Sequence, residues 1–139
     1  DRPAVLIADT GGLIGVMTPE GRALNRERGA GFVALIWLEF VGDRATQDGA
    51  HSRWATSGSV WPIIALRGQK AADGVTGCEG AKWLVMNINP ASVLQFEGCE
   101  VLTPASLQKT GAIALYDRDG ALEPVTARQI TGARLWNDQ

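Results

Sequence analysis

One histidine, two cysteines and one tyrosine are all that 139 residues contain of those types. A catalytic zinc centre takes about three protein ligands, so His51 cannot build one by itself and reads as a surface-loop histidine. Cys78 and Cys99 belong to no C-x-x-C pair, which leaves a cysteine-built zinc module without support. Their spacing keeps two reduced thiols and one bridge equally open; a bridge would stabilise the fold by about 3 kcal/mol in the chain-entropy picture. Long apolar runs are also missing. The best of them, Phe32 to Val41, is interrupted by Glu39 and falls far short of the roughly 20 residues needed to cross a bilayer. An excess of positive charge is missing too: 13 basic residues stand against 15 acidic ones, scattered along the chain, so the broad basic footprint of a nucleic-acid-binding domain is not there.

What remains is the composition of a folded domain. Hydrophobic residues make up 45% and charged residues 20%, close to the globular average. A chain of this length buries a real core and reads as one domain over residues 1–139. It begins at Asp1 rather than Met, which suggests a cut or processed product, so its ends are no reliable guide to targeting.

Ala4 to Ala8 and Leu13 to Thr18 are short Val/Ile-rich strands separated by Asp9-Thr10-Gly11-Gly12. Thr18-Pro19-Glu20-Gly21 carries Pro and Gly where a type I turn prefers them, which returns Arg22 to Leu24 as a third strand. Asn25 to Gly31 is a polar loop. Phe32 to Val41 is apolar on every face, and its length of ten favours a helix over a strand. Gly42 to Ser59 reads as a surface connection with a helical turn or two around Thr46 to Trp54. Val60 to Leu66 is a strand that Pro62 confines to an edge or an end of its sheet. A short helix over Gln69 to Asp73, a Gly-rich stretch to Gly80, and strands Trp83 to Ile88 and Glu100 to Leu102 follow. Thr103-Pro104 is an N-cap with Pro in the first helical position, and Gly111 stops the helix Pro104 to Thr110. Ala112 to Tyr116 and Leu122 to Val125 flank a turn at Asp117 to Gly120, and a short helix starts at Thr126. The expected fold is mixed α/β of the α+β kind, a mainly antiparallel sheet with two or three packed helices. Five tryptophans, at 37, 54, 61, 83 and 136, are expected in core or interface packing.

Three candidate chemistries arise. Asp9-Thr10-Gly11 after an apolar strand resembles the turn of retroviral-type aspartic peptidases, in which two aspartates from two subunits share a proton and activate water. That resemblance implies a homodimer with Asp9 as the catalytic residue. The residue after the Gly is Gly12 rather than Ala or Ser, and Ile63-Ile64-Ala65-Leu66-Arg67 does not reproduce the later apolar-Gly-Arg segment. Arg22, Arg26 and Arg28 are the one basic cluster, on or beside a loop, and are the candidate contacts to the phosphates of single-stranded DNA. Asp43, Asp48, Asp117 and Asp119 lack the spacing of a calcium loop. Gly11 to Gly15 is no phosphate loop, because no helix follows it.

The third reading uses more of the chain. Strand, Asp, Gly-Gly, strand and Thr-Pro-Glu-Gly resemble the opening of the metallo-β-lactamase-like domain in the ComEC family of DNA-internalisation competence proteins. Gly31-Phe32 through Gly42-Asp43, Cys78, Ala81 to Val85, Cys99 and Thr110 to Leu115 are similar to the C-terminal region of its alphaproteobacterial members. This resemblance implies a shortened, degenerate half of that fold, cut from the C-terminal region of a larger inner-membrane protein. Its implied partners are the membrane channel of the same polypeptide and single-stranded DNA, and its implied location is the periplasmic side, which suits a Cys78–Cys99 disulfide. Active relatives carry a His-x-His-x-Asp-His cluster after the first strands and a further histidine pair after the strand matching Trp83 to Met86. Here Asn25 to Val41 has no histidine, and Asn87-Ile88-Asn89-Pro90 follows the later strand. The expectation is a non-catalytic domain without metal or small-molecule cofactor.

Overall fold

The computed structural model describes residues 2–29, 33–34, 37–38, 42–57 and 60–130. The first three strands, β1 (Val5–Ile7), β2 (Ile14–Thr18) and β3 (Gly21–Leu24), form the expected antiparallel meander. The turn between β2 and β3 is tied by Thr18, whose Oγ1 donates to Gly21 O at 2.7 Å and accepts from Glu20 N at 3.1 Å. β7 (Ile113–Arg118) and β8 (Ala121–Thr126) add from the other end of the chain, giving the order β3-β2-β1-β7-β8. Their turn is fastened by Gly120 N donating to Asp117 Oδ1 at 2.9 Å, the use Asp and Gly have in hairpins. β8 is an edge strand, and it alone of the five contains a proline, Pro124.

A second sheet is parallel, which the sequence reading did not anticipate. β4 (Ile63–Leu66), β5 (Trp83–Met86) and β6 (Glu100–Leu102) pair in that order, with Ile63 opposite Trp83 and Trp83 opposite Glu100. β4 starts at Ile63, not Val60. Pro62 has no N–H to give a ladder, Ile63 N bonds back to Trp61 O at 2.7 Å, and Val60 is 67% exposed. β5 ends at Met86 rather than Ile88, because Asn87 turns away to bond Gly68.

Four short helices complete the named elements: α1 (Gln47–Ser52), α2 (Trp54–Ser57), α3 (Gln69–Gly74) and α4 (Pro104–Thr110). The helical turns expected around Thr46 to Trp54 are α1 and α2, the second running on to Ser57, and Thr46 caps α1 by accepting from Gly49 N at 3.1 Å. In α4 the expected Thr103 cap is reciprocal: Ser106 N donates to Thr103 Oγ1 at 3.2 Å and Thr103 N donates to Ser106 Oγ at 2.9 Å. Thr126 and Gln129 make the same exchange ahead of helical residues 127–130. Within Phe32 to Val41, residues Val33, Ala34, Trp37 and Leu38 are helical; the rest of that segment and the tail with Trp136 lie outside the described residues.

Three apolar clusters order the layers. The first joins the facing sides of the two sheets, Val5, Ile7, Ile14 and Val16 from one and Ile63, Val85 and Leu102 from the other, with Leu107 of α4 and the half-buried Trp54, Trp61 and Trp83. The second holds Leu13 and Leu24 against Ala34, Leu38 and Ala50 of the helical segments. The third covers the outer side of the parallel sheet with Ala72 and Val75 from α3 and its end, and with Leu94 and Phe96. β5 is apolar throughout because both of its faces are covered. The mixed α/β class read from the sequence is the observed one. Cys78 and Cys99 form a disulfide, Cα–Cα 5.9 Å, that ties the chain before β5 to the start of β6.

Candidate functional site

The Asp9 turn is built by local hydrogen bonds and placed by contact with the parallel sheet. Ala8 N donates to Leu13 O at 3.0 Å, Gly11 N to Ala8 O at 2.9 Å, and Gly12 N to Thr10 Oγ1 at 3.1 Å. Gly11 has φ +74° and lies directly against the carbonyl of Met86, where a Cβ would collide with the oxygen. The turn that follows β1 is thereby docked on the carboxyl end of β5.

Because β4, β5 and β6 run parallel, the segments that follow them meet at the same end. Asn87 Oδ1 accepts from Gly68 N at 2.9 Å, which joins the ends of β5 and β4. Asn89 Oδ1 accepts from Ala105 N at 2.9 Å, which joins the loop after β5 to α4. Gln69 Nε2 donates to Asn89 O at 2.9 Å and to Asp73 Oδ1 at 3.0 Å, and Asp73 Oδ1 also accepts from Ala91 N at 2.7 Å. Between these segments lies a cleft of about 470 Å³ lined by Asp9, Thr10, Asn87, Asn89, Pro104, Ala105 and Gln108. Open α/β sheets bind ligands at this end of their strands.

The chemistry in the cleft is sparse. Asp9 is the one carboxylate in its lining, beside three carboxamides and a hydroxyl. A proton-sharing pair of carboxylates would need a second Asp from another copy of the chain. Carboxamides do not ionise, and the oxygens of Asn87 and Asn89 are engaged by backbone N–H groups. Among the described residues no group of three His, Cys, Asp or Glu is placed to hold a metal ion. His51 sits on α1 outside the cleft, half-buried, with Nδ1 2.9 Å from Leu24 O. A carbonyl only accepts, so Nδ1 carries the proton and the ring fastens α1 to the end of β3.

The three arginines do not make one surface. Arg22 is fully buried on β3, its Nη1 donating to Pro3 O at 3.1 Å while Nε and Nη2 have no partner among the described residues. Burial, with a smaller repulsion from Arg2, lowers its pKa to about 10. Its stem lies over Gly15, where a Cβ would stand 2.9 Å from Arg22 Cδ and 3.1 Å from the Trp37 ring. It is therefore sealed beneath the helical segment and out of reach of an external phosphate. Arg26 is half-buried, its guanidinium beside Gly12 and Gly29. Arg28 is exposed and 3.7 Å from Glu27.

Sequence reasoning missed the Asp43–Arg53 pair, 2.5 Å between Oδ2 and Nη1 and mostly buried. The Arg53 hydrogen bond, helped by the N–H groups of Ala45 and Arg22 and opposed by burial, holds the Asp43 pKa below its usual range. The pair also grips the outer edge of β3: Arg22 N donates to Asp43 Oδ2 at 3.4 Å and Arg53 Nη1 donates to Arg22 O at 3.0 Å. Gln108 in the cleft was missed as well. Its one signal was its place a turn after the Thr103-Pro104 cap.

No protein family, curated protein or solved structure matches this chain in comparisons with known proteins.

Proposed function

We propose that this chain is a non-catalytic extramembrane domain of a ComEC-like competence protein, serving uptake of single-stranded DNA across the inner membrane from the periplasmic side. The observation that carries the reading is the docking of the Asp9 turn on the end of β5. It sets the turn of the opening hairpin against the segment after β5, which supplies one pair of metal ligands in the hydrolases that hairpin resembles, and both have here been turned to structural use. Asn87 and Asn89 hold loops with their oxygens, and Gly11 is a packing contact. The Cys78–Cys99 bond supports an oxidising compartment, since disulfides persist there and are rare in a reducing cytosol. No helix among the described residues is long and apolar enough to cross a membrane.

The test has two arms. The purified chain, incubated with zinc, manganese or magnesium, is expected to leave single- and double-stranded DNA intact. Cleavage that a chelator abolishes would sink the non-catalytic reading. In cells, removing residues 1–139 from the membrane protein that contains them is expected to lower DNA uptake while the channel still inserts. Unchanged uptake would refute the assignment to transport. Pepstatin-sensitive proteolysis lost in Asp9→Asn would favour the peptidase instead.

A further inference from the structure

The Asp9 cleft adjoins a smaller chamber of about 190 Å³, with which it shares Asn89 and Ala105. Pro90, Val93, Leu94 and Val101 supply the apolar walls of this chamber. Its two hydroxyls are consumed by the cap of α4: Thr103 Oγ1 accepts from Ser106 N, while Ser106 Oγ accepts from Thr103 N and donates to Thr103 O at 3.1 Å. The chamber therefore presents hydrocarbon. A cavity of about 150 Å³ with apolar walls holds benzene, so a group of about six carbons fits this one. Val93 is 96% exposed, and an occupant would take part of that side chain out of water.

Charge decides what the other end of the occupant is. Across the two linings Asp9 is the single ionisable side chain. An anion is rejected twice over. Asp9 repels it, and the start of α4, where a phosphate or carboxylate would otherwise find backbone donors, is closed: Pro104 has no N–H, Ala105 N is taken by Asn89 and Ser106 N by Thr103. A primary ammonium ion suits the cleft, because it carries three donors and no acceptor, and Asp9, Thr10 and Gln108 bring a carboxylate, a hydroxyl and a carboxamide oxygen to the lining. The frame of the site is already set, since Asn87, Asn89 and Asp73 hold the surrounding loops through backbone N–H groups.

We infer that the cleft and its chamber bind a small organic amine, with the ammonium ion at Asp9 and an apolar group of about benzene size between Pro90, Leu94 and Val101. Binding involves no covalent step. The inference uses only the groups of the cleft itself and stands whether or not the chain serves DNA uptake.

The test titrates the full chain with 2-phenylethylamine at neutral pH and follows the backbone amide and side-chain carboxamide resonances. Saturable binding in the millimolar range is expected, as suits so small a ligand, with the largest shifts at Asn89, Leu94, Val101 and Gln108. The anion 3-phenylpropionate, of similar size and opposite charge, is expected not to saturate. Asp9→Asn keeps a turn-forming side chain and removes the charge, and is expected to weaken amine binding about threefold to fivefold, the value of one exposed ion pair. Ala105→Leu, on the exposed face of α4, fills the passage between cleft and chamber and is expected to abolish saturation. It carries the test if Asp9→Asn fails to fold. Absence of saturable amine binding to the folded chain overturns the proposal, as does parental affinity in either folded variant. Equal affinity for the anion, or shifts confined to residues outside the two linings, overturns it as well.

Discussion

Replacing Gly11 by Ala tests whether the Asp9 turn is held against β5 or merely lies near it. Two effects add. An L-residue at φ +74° costs about 1 to 2 kcal/mol for the left-handed backbone. The new methyl also meets the Met86 carbonyl, a backbone atom in the central strand of its sheet that cannot swing aside. Forced overpacking of this kind costs about 1 to 3 kcal/mol. Gly42 provides the control, since its φ is +71° and nothing among the described residues lies within 4 Å of the Cβ it would acquire. With a urea slope of about 2 kcal/mol/M, Gly11→Ala is expected to lower the unfolding midpoint by about 1.5 M and Gly42→Ala by about 0.5 to 1 M. Equilibrium urea unfolding followed by tryptophan fluorescence and far-UV circular dichroism measures both. If the two variants fall within about 0.2 M of each other, the contact carries no energy and the cleft is not a fixed site.

Reducing the Cys78–Cys99 bond, or replacing both residues by Ser, is expected to remove about 3 kcal/mol, roughly a 10 °C drop in Tm for a domain of this size, read by thermal melts with and without reductant. Asp43 is held below its unfolded pKa of about 3.9, so the stability it contributes is present above that pH and is lost as pH falls through the folded value. Urea midpoints should therefore decline on acidification below about pH 4, and the decline should be shallower in Asp43→Asn. An equal decline in both would remove Asp43 as its source. Arg22→Met keeps the length of the stem and removes a buried charge, two of whose nitrogens have no partner among the described residues. Stability within about 1 kcal/mol of the parent, of either sign, is expected from urea unfolding, and a loss above about 3 kcal/mol would show that the guanidinium is satisfied.

Where neighbours in sequence are neighbours in space, the fold was legible. The β1–β2–β3 meander follows from turn residues that mean the same thing in any context, and so does α4, with Thr103, Pro104 and Gly111 at its ends. The parallel sheet was not legible. Short apolar runs such as Trp83 to Met86 announce a strand, but its direction is set by a partner many residues away. The arginines show a different failure. Grouping Arg22 with Arg26 and Arg28 by charge ignored strand alternation, which puts Arg22 on the same face as the buried Leu24. Room for its stem comes from an absent side chain, Gly15 on the neighbouring strand, and only the register reveals that. In the cleft, Asp9 was visible as part of a motif and the Asn87-Ile88-Asn89 segment as a departure from one. Their meeting was not, because it rests on one glycine touching one carbonyl.

The grip of Asp43 and Arg53 on β3 bears on how the molecule behaves in company. An edge strand with free N–H and C=O groups is a template on which another chain can grow a sheet, and proteins avoid this by covering or interrupting such edges. At Arg22 a carboxylate and a guanidinium take the places that the backbone of a neighbouring strand would fill. On the far edge, Pro124 withholds a donor. The antiparallel sheet is therefore guarded on both sides against edge-to-edge association. On the β3 side the guard is an ion pair that acid can dissolve, so low pH threatens this domain with self-assembly as well as with unfolding.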